Sequence, residues 1–118
     1  MIYHTETKCG EIKGIETNGI IAYKGIRYAT AGRFEYPKMV EHWESTYDAC
    51  EYKHCSYQPR SFYDEEQVPE KAFYYNEFRK GETYTYSEDC LFLNIFKPLD
   101  AKEGDKVKVT GVVAAITY

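Results

Sequence analysis

The sequence has no long apolar run, no cluster of basic residues and no apolar leader, and each absence excludes a class of protein. No stretch of its 118 residues approaches the roughly 18 consecutive apolar residues that a membrane-spanning helix needs. Acidic and basic residues are interspersed with a net charge of −4, so no nucleic-acid-binding surface is predicted. The residues after Met1 show no secretory signal pattern. We therefore expect a cytoplasmic protein that binds neither membranes nor nucleic acids.

Cysteine is also scarce, with four residues at positions 9, 50, 55 and 90. Cys50 and Cys55 are separated by four residues, but no second Cys/His pair follows at the spacing of a zinc site. The sequence therefore predicts no metal or cofactor site. Buried or half-buried free thiols in a reducing cell are the expected state of the cysteines.

Aromatic residues, in contrast, are abundant, with 13 Tyr, 6 Phe and 1 Trp. Tyrosine buries a large ring and keeps a polar hydroxyl, so it suits half-buried surfaces and interfaces. A hydrophobic content of 43% argues against global disorder. The length indicates one domain or part of one.

The first third of the chain predicts a β-hairpin. Asn18-Gly19 is a strong signal for a two-residue turn, and apolar, β-branched residues lie on both sides of it. We expect an antiparallel pair formed by Cys9–Glu16 and Ile20–Tyr28, with Gly25 marking a bend or bulge.

The rest of the chain predicts a loop-rich middle, one helix and two strands. Residues 30–69 are irregular, with three of the four prolines and no clear period. Pro69–Gly81 is the best helix candidate, because proline suits the first turn and glycine follows a helix end. Residues 89–97 predict a buried strand and residues 107–118 another. The expected fold class is thus α+β, mostly β.

Several short motifs also occur in a fixed order, and together they resemble one family. The most specific is the run from Ser87 to Asn94, Ser-Glu-Asp-Cys-Leu-Phe-Leu-Asn. Upstream are a glycine-spaced first strand (10–14), a Gly-Ile-Arg-Tyr-Ala strand (25–29), Arg-Phe-x-x-Pro (33–37), Trp43 followed by Asp48-Ala49, and Cys-Ser-Tyr-Gln (55–58). This series resembles the N-terminal segment of type-B carboxylesterases, the cholinesterase-like branch of the α/β-hydrolases. Arg27 stands where that family has proline.

The resemblance covers residues 8–98 and implies an incomplete piece of an α/β-hydrolase fold. Residues 1–118 are then one partial domain, whose tail, 107–118, diverges from the family. The resemblance further implies that Cys55 lies close to Cys90, because the cysteines at these two positions form a disulfide in some relatives. It also implies an ion pair between Arg33 and Glu88. Breaking such a pair would cost about 3–5 kcal/mol if it were buried and under about 1 kcal/mol if it were exposed.

The chemistry of that family needs groups that this sequence does not contain. No glycines form a His-Gly-Gly oxyanion loop, and none brackets a serine as G-x-S-x-G. We therefore predict no catalytic residues and no esterase activity for this chain alone. Two alternatives remain: one half of a split esterase completed by a downstream polypeptide, or a non-catalytic interaction or ligand-binding module. Apolar strands left exposed would favour a homo-oligomer or a strand-exchanged dimer.

Overall fold

The computed structural model describes residues 1–57, 73, 76–77, 80–81 and 84–106. These residues form seven strands: β1 (Ile2–Thr7), β2 (Gly10–Thr17), β3 (Ile20–Arg27), β4 (Ala29–Thr30), β5 (Lys38–Met39), β6 (Tyr47–Asp48) and β7 (Phe92–Pro98). The main sheet has the order β1-β2-β3-β7, with β6 beside β2, whereas β4 and β5 form a separate ribbon. This architecture confirms the mostly-β fold class. The described residues include no helix with the length and apolar character needed to cross a bilayer.

The predicted hairpin is present as β2 and β3. Asn18 and Gly19 have φ values of +50° and +79°, the left-handed pair that a tight hairpin turn requires. The strands pair next to this turn, from Thr17 opposite Ile20 to Ile15 opposite Ala22.

Beyond these pairs β2 and β3 separate, and the segment around β6 fills the gap. Ile12 lies opposite Tyr47 in a parallel pairing. The Ala49 amide donates to the Lys13 carbonyl at 2.9 Å, and the Lys24 amide donates to the Ala49 carbonyl at 2.7 Å. Ala49 is consequently fully buried between the two strands. A segment predicted as loop thus becomes part of the sheet.

Gly25 forms the predicted bulge in β3. Its φ is +68°, and the pairing of β3 with β7 shifts register between Tyr23 and Ile26. The Gly25 amide donates to Asn94 Oδ1 at 2.8 Å, and its carbonyl accepts from Tyr47 Oη at 2.6 Å. The two side chains therefore satisfy the backbone groups that the bulge removes from the ladder.

A small core lies on one face of the sheet. It consists of Ile12, Ile21, Tyr23, Ile26 and Ala49, with Tyr3, Trp43 and Tyr47 packed against it. No large side chain in the described part of the chain falls below 2% exposure. The core is therefore thin.

The prediction of a buried strand over 89–97 was wrong in its extent and in its burial. The strand begins at Phe92, because Asp89 and Cys90 belong to the preceding turn. Ile95 is 50% exposed and Phe96 52%. Within the described residues β7 contacts the sheet only through β3, so one edge of the strand is not paired there.

Three further elements either differ from the prediction or lie outside the residues that the structure describes. β1 was not predicted, although it pairs with β2 along its whole length, from Ile2 to Thr7. Phe73, Asn76 and Glu77 are helical, but most of the predicted helix 69–81 lies outside the described residues, as does the predicted strand 107–118. Gly81 has a φ of +82°, the conformation that commonly follows a helix end.

Candidate functional site

The candidate site is the turn Ser87–Leu91, which the family motif singled out. The Tyr28 amide donates to the Leu91 carbonyl at 3.2 Å, which places the end of the turn beside the end of β3. Inside the turn, the Asp89 amide donates to Ser87 Oγ at 3.1 Å. The side chains of Glu88 and Asp89 project from this fixed backbone toward two arginines.

Arg27 and Asp89 form a bidentate ion pair. Arg27 Nη2 donates to Asp89 Oδ2 at 2.8 Å, while Nη1 donates to Oδ1. The guanidinium also lies over the Phe92 ring, 4.5 Å from its centroid. The Arg27 hydrogen bond lowers the pKa of Asp89, and the same bond raises the pKa of Arg27. The pair fixes the turn to the last residue of β3.

Arg33 and Glu88 are also brought together. Arg33 Nη2 donates to Glu88 Oε1, and the two side chains are 67% and 59% exposed. An exposed pair of this kind contributes under about 1 kcal/mol. The pair therefore joins the loop after β4 to the turn without a large effect on stability.

Cys55 and Cys90 are free thiols, and both are half-buried. The backbone of Cys55 is fixed beside the turn, because its amide donates to the Thr85 carbonyl at 2.8 Å and its carbonyl accepts from the Ser87 amide at 2.9 Å. The pKa of Cys90 is raised by burial and then by the charges of Asp89, Cys55 and Glu88.

Two clefts of about 360 Å³ each flank the turn. The first lies between the turn and the segment after Cys55, and Ser56, Tyr57 and Ser87 are in its wall. The second lies beside the β4–β5 ribbon and contains Arg27, Lys38 and Tyr36. The Arg33–Glu88 pair lines both clefts.

The ion pairs hold the turn in place, and in the described part of the chain neither Ser56 nor Ser87 shares its cleft with a histidine. None of the described residues that line either cleft is a histidine. His4 bonds Glu11 at 2.9 Å, and the His54 ring meets the edge of Phe92. Among the described residues, no group of three or more His, Cys, Asp and Glu side chains is placed to hold a metal ion.

Sequence reasoning missed the contacts of Arg27, Tyr47 and Asn94. Arg27 was noted only as a departure from the family pattern, although a charge at the end of a mostly apolar strand signals a need for a partner. Asp89, which follows Glu88 in the sequence, was a candidate for the partner of Arg27.

Comparisons with known proteins agree on one family. The sequence profile of the carboxylesterase family matches residues 3–116. The chain is 33% identical over 96 residues to the para-nitrobenzyl esterase of Bacillus subtilis, a match covering 78% of this chain and 17% of that protein. It is 32% identical over 104 residues to acetylcholinesterase 4 of Caenorhabditis briggsae, covering 81% of this chain and 16% of that protein.

Solved structures give the same result. A PNB esterase structure superposes with a TM-score of 0.59 at 31% identity, over 81% of this chain and 18% of that one. An esterase from Clostridium hathewayi, which can hydrolyse aliphatic aromatic polyesters, superposes with a TM-score of 0.54 at 33% identity, over 80% of this chain and 17% of that one. The chain spans less than a fifth of the length of these relatives. It belongs to the carboxylesterase family and corresponds to an N-terminal segment of the type-B fold.

Proposed function

We propose that residues 1–118 form the N-terminal scaffold of a carboxylic ester hydrolase and that they do not hydrolyse esters by themselves. The supporting observation is the mismatch between what the chemistry requires and what the chain contains. Ester hydrolysis by this family needs an oxyanion loop, a serine on a G-x-S-x-G turn and an acid–histidine pair. The four serines, at positions 45, 56, 61 and 87, all lie outside such a motif.

The geometry of the clefts is consistent with a scaffold. Ser56 and Ser87 line the first cleft, but no histidine lines it among the described residues. A serine hydroxyl without an adjacent base is a weak nucleophile at neutral pH. The charged side chains of the turn, Glu88 and Asp89, instead pair with Arg33 and Arg27. The turn therefore holds the loop after β4, the end of β3 and the Cys55 segment together.

An ester-hydrolysis assay on the purified chain tests this function. We expect p-nitrophenyl acetate to be hydrolysed at the rate of the buffer blank, while the Bacillus subtilis para-nitrobenzyl esterase, as positive control, shows turnover. Hydrolysis well above the blank that a serine-directed phosphonate abolishes would contradict the proposal. Turnover that the phosphonate does not affect would indicate hydrolysis by a group other than an activated serine.

A second candidate is one half of a split esterase, and the exposed apolar side chains of β7 favour it. Such side chains suit a strand that a second polypeptide completes. Co-expression with any reading frame immediately downstream, followed by the same assay, distinguishes the two. Activity that appears only on co-expression identifies the split enzyme, whereas a downstream region without a frame for the oxyanion loop favours a remnant or a non-catalytic module.

A further inference from the structure

The ribbon formed by β4 and β5 carries the most exposed aromatic side chains of the described residues. Phe34 is 101% exposed and Tyr36 94%, and both lie in the loop between the two strands. Met39, in β5, is 80% exposed. Aromatic residues and methionine are enriched at protein interfaces and are not expected to cluster on a surface that faces only water.

Phe34 is also held in a strained conformation. Its φ is +63°, in the left-handed region that a bulky residue rarely adopts. In the loop around it, the Glu35 amide donates to the Gly32 carbonyl at 3.1 Å and Arg33 pairs with Glu88. The loop presents the ring of Phe34 to solvent. A side chain that is both strained and exposed lowers the stability of the chain by itself, so an external contact is its most direct explanation.

We propose that Phe34, with Tyr36 and Met39, is the anchor by which this scaffold docks onto the catalytic portion of a carboxylesterase. The inference rests on the proposed scaffold function and adds the surface through which the scaffold contacts the catalytic portion. The choice of partner follows from the relatives, in which the matched stretch is 16–18% of a much longer chain. The remaining part of such a chain must cover surfaces that are exposed here. The ribbon is joined to the family motif through the Arg33–Glu88 pair, so docking there would also position the turn.

Co-expression tests the anchor. The full chain is produced together with a tagged Bacillus subtilis para-nitrobenzyl esterase that lacks its own matched stretch, and co-purification and p-nitrobenzyl ester hydrolysis are measured. We expect a complex with the unmodified chain. Phe34→Ala should reduce the co-purified amount and the activity by about tenfold or more, the size typical of an aromatic hot spot. The matched control is Tyr52→Ala, which removes an aromatic side chain that is 60% exposed outside the ribbon and should change both by less than about twofold.

Phe34→Gly separates docking from folding. Glycine adopts positive φ without strain, so this variant of the isolated chain should melt at the same or a higher temperature than the unmodified chain. It should nevertheless dock as poorly as Phe34→Ala. If a complex forms and neither Phe34 variant reduces the co-purified amount or the activity, the anchor is wrong. The scaffold function then still stands. No complex with the unmodified chain overturns the anchor, and the scaffold function is then decided by the ester-hydrolysis assay.

Discussion

Among the glycines that the structure describes, Gly25 has the least room for a side chain. A Cβ there would lie 2.4 Å from Lys53 Cγ and 2.6 Å from the Glu51 carbonyl, and the φ of +68° is itself unfavourable for other residues. Gly25→Ala therefore combines backbone strain with a clash, and we expect the free energy of unfolding to fall by about 3 kcal/mol. Urea unfolding followed by Trp43 fluorescence measures it.

Gly19 provides the control for this prediction. Its φ is +79°, but nothing lies within 4 Å of a Cβ at that position. Gly19→Ala should thus cost only the backbone strain, about 1 kcal/mol. Equal losses for the two variants would show that the contacts of Gly25 with Lys53 and Glu51 add nothing.

The Arg27–Asp89 pair should contribute a small, acid-sensitive part of the stability. The side chains are 30% and 50% exposed, so solvent screening limits the contribution to about 1 kcal/mol. The pKa of Asp89 is lowered in the folded chain by the Arg27 hydrogen bond. The contribution is therefore fully present above the unfolded pKa of about 3.9 and is lost as the pH falls through the folded value.

Asp89→Asn tests this pH dependence. The difference in unfolding free energy between the unmodified chain and the variant should be largest near pH 7 and should shrink progressively below about pH 4. Arg27→Gln should give a similar loss at neutral pH because it removes the same pair. A difference that stays constant down to pH 2.5 would mean that the pair does not stabilise the folded chain.

At the scale of the elements, Asn94 couples β7 to the bulge in β3. Its Oδ1 accepts from the Gly25 amide at 2.8 Å, in place of the ladder bond that the bulge removes. Asn94→Leu leaves this amide without its acceptor and should cost about 1–2 kcal/mol. Asn94→Asp keeps an acceptor oxygen and should cost less. Hydrogen exchange of the Gly25 amide, faster in the leucine variant alone, is the direct measurement.

The elements that could be predicted were those whose signals are local. Asn18-Gly19 specifies its own turn, and Gly25 marks a bulge, so the β2–β3 hairpin and its bend followed from the sequence. β1 was overlooked, although Ile2, Tyr3 and Thr5 are residues typical of strands. Burial of β7 could not be read from its apolar residues, because burial depends on what packs against the strand rather than on the strand itself.

The site shows the same division between local and long-range information. The family motif pointed to Arg33 and Glu88, residues 55 positions apart that the structure brings together. Arg27 and Asp89 are 62 positions apart, and no motif links them. Their pairing depends on the register of β3 against β7, in which Arg27 lies opposite Phe92. That register is a tertiary property and is absent from any short sequence window.

At the scale of the whole molecule, β7 is the surface most open to association. It has seven residues and, within the described part of the chain, pairs on one edge only. Lys97, near the end of the strand, is its sole charged side chain, so the stretch Phe92–Phe96 lacks the charges that protect edge strands from pairing with another chain. The other outer strand, β1, carries His4 and Glu6 and is better protected against such pairing. We therefore propose that the isolated chain forms a dimer through β7.

The charge of a lysine at the centre of β7 should prevent this pairing. In a two-fold antiparallel dimer centred on Ile95, each Ile95 side chain lies beside its copy, so Ile95→Lys places two like charges together. Sedimentation equilibrium over about 1–100 μM should show a monomer for this variant and a dimer for the unmodified chain. Tyr36→Lys, which adds the same charge on the β4–β5 ribbon, is the control. A monomer from Tyr36→Lys but not from Ile95→Lys would move the interface to the ribbon.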